Sequence, residues 1–307
     1  MSFQSVNDDM PLNKGLRDNQ IFYTVDNIES KIPKNFNGDY TFLSGFNNKV
    51  ITTKLITNKY GFRSDEFIDN DSNYHVVFAG CSETFGMGGA LEDTWSKILF
   101  NSINKNIELS GYYSLGVPGI GFQDILSILL DYFDKFKVPD AIFIMFPNLG
   151  RTIRWCDKKT ANLESGGYYL LTVNDHQKLV KYNYDTNYDW KYYDYNNDFV
   201  QFISNIKIFE KLCKDNNIKL FWSTWDHYFL KLISGHLECF QNFYDLLLTD
   251  KDIKIIQENK KELTLRKEDG HFGTIFHTSW ANKFYDYFTA SSGIINNKEE
   301  TWQRKVQ

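Results

Sequence analysis

The 307-residue sequence predicts an α/β protein built on a central parallel sheet of four to five strands with helices on both faces. Two observations predict it. From His75 onward, short apolar runs end at glycines or polar turns and alternate with longer stretches of helical periodicity. One run, Ala141-Ile-Phe-Ile-Met-Phe146, is apolar without interruption, as a central parallel strand buried on both faces should be.

Taken in order, residues 1–70 read as an amino-terminal arm, with Tyr40–Leu43 and Val50–Ile56 as a hairpin or edge strands. The α/β domain spans 71–292. Its first strand is His75–Ala79, followed after a glycine turn by a helix over Thr94–Asn104 with Trp95, Ile98, Leu99 and Ile103 on one face. Tyr112–Leu115 is the second strand, and a helix over Phe122–Phe136 follows its glycine-rich turn. Ala141–Phe146 is the third strand; a helix over Phe199–Asp215 precedes the fourth, Ile218–Thr224. The last helix, Thr274–Phe288, puts Ile275, Trp280, Phe284 and Phe288 at helical spacing, and residues 293–307 form a tail. Between the third and fourth strands lies a polar, aromatic insertion, residues 158–197, rich in tyrosines such as Tyr168, Tyr169, Tyr182 and Tyr184. It is too long for a routine connection and reads as a lid, a small β-excursion or an interface, which leaves an oligomer open.

Composition narrows the function. With 42% hydrophobic residues the chain can bury a large core. A net charge of -5 argues against nucleic acid or an anionic membrane as main partner and favours a neutral substrate. Cys81, Cys156, Cys213 and Cys239 form no CxxC pair, so neither a zinc site nor a disulfide framework is expected, and a reducing compartment fits best. The polar, acidic first residues lack the features of a signal peptide. No apolar stretch approaches the roughly 20 residues of a membrane span, so a soluble, cytoplasmic protein is expected. Aromatic residues reach 17%, enough either to pack a core or to line a groove for sugars or acyl groups.

In an open parallel sheet, ligands bind beyond the carboxyl ends of the strands. After the first strand comes Gly80-Cys81-Ser82-Glu83-Thr84-Phe85-Gly86, where Ser82 is either a helix cap or an exposed nucleophile. After the second comes Gly116-Val117-Pro118-Gly119, where Gly119 serves a positive-φ turn or lets a carbonyl oxygen approach a backbone N–H. After the third, Asn148 follows Pro147 as a turn residue or an amide donor. Near the carboxyl end, Glu268 and Asp269 closely precede His271, a histidine positioned to enter the site from a loop. His277, six residues on, reads as a structural group of the last helix or as a support for the site residues; without a third clustered ligand the pair makes no metal site.

The order Ser82, Gly119, Asn148, acid and His271 resembles the four blocks of the GDSL or SGNH hydrolases, from roughly His75 to Phe288. The resemblance implies a three-layer α/β/α flavodoxin-like sandwich and ester hydrolysis without a cofactor. It makes Ser82 the nucleophile, His271 the base, and Ser82, Gly119 and Asn148 the oxyanion donors. This sequence departs from the pattern at Cys81, where an aspartate is usual, and at the acid. Glu268 is three residues before His271 and Asp269 two, so either orients it. The family often has a second histidine six residues after the first, as His277 is. An upstream run, Asn58-Lys-Tyr-Gly-Phe-Arg63, resembles a segment of a subset with bacterial and phage-encoded members.

The expected substrate is a small-molecule or glycan ester, first an O-acetyl group on a carbohydrate. The same triad also fits an O-acyltransferase. The third reading is a binding or structural protein that keeps the fold with little activity, virion-associated if phage-encoded.

Overall fold

The computed structural model describes residues 38–43, 50–68, 73–87, 89–147, 149, 152–156, 167–171, 195–225 and 272–292. Strands β1 (Gly38–Leu43) and β2 (Val50–Leu55), the second opening on four consecutive β-branched residues, pair antiparallel as a two-stranded sheet. The runs from His75 onward supply β3 (Val76–Gly80), β4 (Tyr113–Gly116), β5 (Ala141–Phe146) and, past two further strands, β8 (Lys219–Thr224). These four form one sheet in the order β4-β3-β5-β8, with every neighbouring pair parallel. By order of appearance this is 2-1-3-4, the flavodoxin-like winding, whose switch point lies between β3 and β5.

Alternation along the strands sorts their side chains to two faces. Val77, Ala79, Ile142 and Ile144 share an apolar cluster with α3 (Phe122–Lys135) and α4 (Tyr195–Asp215). Val76, Phe78, Ala141, Phe143 and Met145 share the opposite one with α2 (Trp95–Asn104) and α5 (Thr274–Ser292). The protein is therefore a three-layer α/β/α sandwich. Across the second face Phe143 stacks between Phe78 and Phe221, with ring centroids 5.7 and 4.8 Å away.

The helix ends refine the sequence expectation. Thr94 caps α2 instead of opening it, its hydroxyl accepting the Lys97 N–H at 3.3 Å. Helix α4 starts at Tyr195, four residues before the expected Phe199, because its first turn carries no apolar stripe for periodicity to detect. Helix α5 runs past Phe288 to Ser292 and buries Phe276, Trp280, Ala281, Phe284 and Phe288; the side chain of Ile275 lies outside the described ones.

Within the insertion, β7 (Gly167–Leu171) pairs antiparallel with β6 (Thr152–Cys156), a small β-excursion, and residues 195–197 open α4; residues 158–166 and 172–194 lie outside the described residues. Residues 58–67, grouped with the arm by sequence, pack onto the α/β core. Phe62 and Phe67 are buried in the first apolar cluster, and the Asp65 N–H donates to the Tyr112 carbonyl at 3.0 Å. Among the described residues, no helix is long and apolar enough to cross a membrane.

Candidate active site

Beyond β3 the chain turns at once into α1 (Ser82–Phe85), a single helical turn. Cys81 holds the cap position, with no side-chain cap bond, and its carbonyl accepts the Thr84 and Phe85 N–H groups, each at 3.0 Å. Ser82 is thus the first helical residue, and its hydroxyl does not cap the helix. That hydroxyl makes a weak contact with Cys81 Sγ at 3.8 Å, and Ser82 is 5% exposed. The Ser82 carbonyl is fixed from behind by the Gly86 and Met87 N–H groups at 2.9 and 3.0 Å.

The neighbouring strand end is pressed against this turn. Gly80 pairs with Gly116, and the Val117 N–H donates to the Gly80 carbonyl at 3.1 Å. A Cβ on Gly116 would stand 2.5 Å from the Phe85 nitrogen, so only glycine lets β4 end here. The sequence carries no sign of this role for Gly116, because a close approach between a strand end and a helix leaves no local signature. Gly119, three residues on, has φ 82°, and among the described residues nothing lies within 4 Å of where its Cβ would be. It meets the turn requirement, and none of the described residues crowds the front of its backbone.

On the other side stands a buried pair. His277 Nδ1 accepts the Trp95 N–H at 3.2 Å, and His277 Nε2 lies 3.5 Å from a Glu83 carboxylate oxygen. A backbone N–H can only donate, so Nδ1 is the bare nitrogen and the proton sits on Nε2, facing Glu83. His277 thereby joins the first turn of α5 to the start of α2 and to the residue next to Ser82. The sequence assigns it a structural or supporting place and leaves Glu83 without any role; the serine's neighbour becomes a partner only through the packing of α5.

Beneath the turn, the Ser96 hydroxyl donates to the Thr84 carbonyl at 3.3 Å and pairs with the Tyr112 hydroxyl at 2.8 Å. Burial pushes the Tyr112 phenol above its ordinary range, so it stays a neutral hydrogen-bonding group.

The structure brings the Ser82 and Gly119 turns to adjacent strand ends. Asn148, Glu268, Asp269 and His271 lie outside the described residues, although their neighbours Pro147, Leu149 and Phe272 are described. Phe272 stacks on Phe276 with centroids 4.0 Å apart at the start of α5. Among the described residues, no group of three or more His, Cys, Asp or Glu side chains is placed to hold a metal ion.

No family model matches this chain, and no curated protein matches it by sequence. Among solved structures it is similar to the crystal structure of an acetyl xylan esterase, at 14% identity and a TM-score of 0.38. That alignment covers 69% of this chain and 98% of the esterase chain.

Proposed function

We propose that this protein is a serine ester hydrolase of SGNH type, with Ser82 as nucleophile and His271 as general base. Glu268 or Asp269 orients the imidazole and stabilises its protonated form. The Ser82 and Gly119 N–H groups and the Asn148 amide are the oxyanion donors. The observation that supports this reading is the meeting of two turns at the carboxyl ends of the neighbouring strands β3 and β4. The helix opening on Ser82 backs onto the end of β4, whose following turn carries Gly119. The first N–H groups of a helix have no acceptor within it, which suits the Ser82 N–H to a developing negative charge.

In acylation, His271 accepts the Ser82 Oγ proton as Oγ bonds to the ester carbonyl carbon, and the carbonyl oxygen takes the negative charge. The tetrahedral species collapses, the bond to the alcohol oxygen breaks, and the alcohol leaves with the proton from His271. Water, giving a proton to His271, then attacks the acyl carbon; the acid departs and Ser82 recovers its proton. Each oxyanion donor contributes about 3 kcal/mol in the transition state. The acidic chain and the aromatic insertion favour a neutral ester, and O-acetyl groups on a carbohydrate are the substrate class proposed.

The test is hydrolysis of p-nitrophenyl acetate. Ser82→Ala lowers kcat by about 10⁴-fold; an Ser82→Ala protein as fast as wild type removes Ser82 as nucleophile. A series of longer acyl esters checks the substrate, since a strong preference for long chains would replace the carbohydrate reading with a lipid one.

A further inference from the structure

The chemistry above gives no role to Arg63, a cation buried to 2% exposure beside the Ser82 turn. A charge taken out of water is retained only where hydrogen bonds compensate it. Arg63 Nη1 donates to the carbonyls of Phe85, Gly86 and Gly89 at 3.3, 2.9 and 3.1 Å. These belong to the carboxyl end of α1 and the turn after it. Helix-end carbonyls have no donor within the helix, and a cation is favoured there.

The segment that carries Arg63 is itself built to deliver it. The Asn58 side-chain oxygen accepts the Tyr60 and Phe62 N–H groups at 3.0 and 3.1 Å, and the Asn58 N–H donates to the Phe62 carbonyl at 2.8 Å. Gly61 takes φ 84° to close this turn. Phe62 is buried against Phe67, with centroids 5.8 Å apart, which anchors the segment in the core. The run Asn-x-x-Gly-Phe-Arg, singled out in the sequence, is thus a turn, an anchor and a side chain aimed at one place.

We propose that Arg63 is a positioning residue: its guanidinium holds the turn behind Ser82, so that the Ser82 N–H and Oγ keep the direction acyl transfer requires. The inference rests on Ser82 being the nucleophile. The connection is short. Arg63 Nη1 holds the Gly86 carbonyl, and the Gly86 N–H holds the Ser82 carbonyl at 2.9 Å. Desolvation lowers the Arg63 pKa to about 10, while Tyr112 and Glu92 act in the opposite direction, so the group is a cation at neutral pH. A neutral side chain of similar length would fill the space without supplying donors to three carbonyls.

The experiment measures kcat and KM for p-nitrophenyl acetate, and the rate of Ser82 labelling by a fluorophosphonate, in wild type, Arg63→Lys and Arg63→Met, with circular dichroism to check folding. Arg63→Met lowers kcat and the labelling rate by about 100-fold, the scale of a misplacement near 1 Å, with KM nearly unchanged. Arg63→Lys keeps the charge and its donors on a side chain one bond shorter and loses about 10-fold. A folded Arg63→Lys or Arg63→Met protein with wild-type kcat overturns the inference and leaves the esterase reading intact. A wild type that neither hydrolyses the reporter nor labels at Ser82 overturns the esterase reading, and this inference with it. Where Arg63→Met does not fold, Arg63→Lys decides: a purely structural Arg63 predicts lower stability at full kcat, a positioning one predicts lower kcat.

Discussion

On the α3 and α4 side of the sheet, Leu129, Phe202 and Ile206 share one apolar cluster with Ile144 and Phe146. At the carboxyl end beside Ser82, the fastening is polar and comes from Arg63, Ser96, Tyr112 and His277. The first kind of contact is non-directional and scales with buried area, so it fixes layers but tolerates changes in shape. The second kind works only at set distances and angles, so it fixes where individual atoms point. The turn at Ser82 is thus held by hydrogen bonds, and the layer that supports it by packing.

The largest effect that tests this contrast is on the apolar side. Leu129→Ala, at a fully buried position, costs about 3 kcal/mol of stability by urea denaturation. Below the unfolding transition its fluorophosphonate labelling rate stays at the wild-type value. A labelling rate that falls in fully folded Leu129→Ala would erase the distinction between the two regions.

Next comes His277→Phe, which leaves the Trp95 N–H without its acceptor and Glu83 facing a ring. It costs about 2 kcal/mol, less than Leu129→Ala, yet slows labelling of the folded protein. His277→Gln, which retains an acceptor and a donor, recovers part of the rate. Equal labelling in wild type and His277→Phe would return His277 to a purely structural role.

The smallest effect at neutral pH concerns Cys213, a thiol on the apolar side. Burial, with Glu210 adding to it, pushes its pKa from 9.0 to about 12. The unfolded chain releases this proton from about pH 9 while the folded state keeps it, so the stability it contributes is whole below pH 9 and is lost as pH rises through 12. Cys213→Ala therefore shows a shallower loss of stability than wild type between pH 9 and 12, read by denaturant titration at each pH. An unchanged slope would mean that the thiol is not shielded as the packing implies.

Much of the fold was legible because its signals are local. The uninterrupted Ala141–Phe146 run became a central strand, and the stripe of Trp95, Leu99 and Ile103 became the buried face of α2. The start of α4 at Tyr195 was not legible, since a polar helical turn looks like a loop. At the site, the glycines around Ser82 marked a turn, but whether the serine capped the helix or stood at its first position depended on the path out of β3.

By itself, then, the sequence determined the alternation of strands and helices, the apolar faces and the glycine-flanked turn at Ser82, because each is written in spacings of a few residues. Tertiary structure decided the strand order, the seating of β4 against α1 at Gly116, and the convergence of Arg63, Glu83 and His277 on the Ser82 turn. Trp95 and His277 are 182 residues apart, and such a bond exists only once α2 and α5 have packed on the same face of the sheet. Periodicity predicts which faces are buried; it carries no record of which polar groups meet when those faces come together.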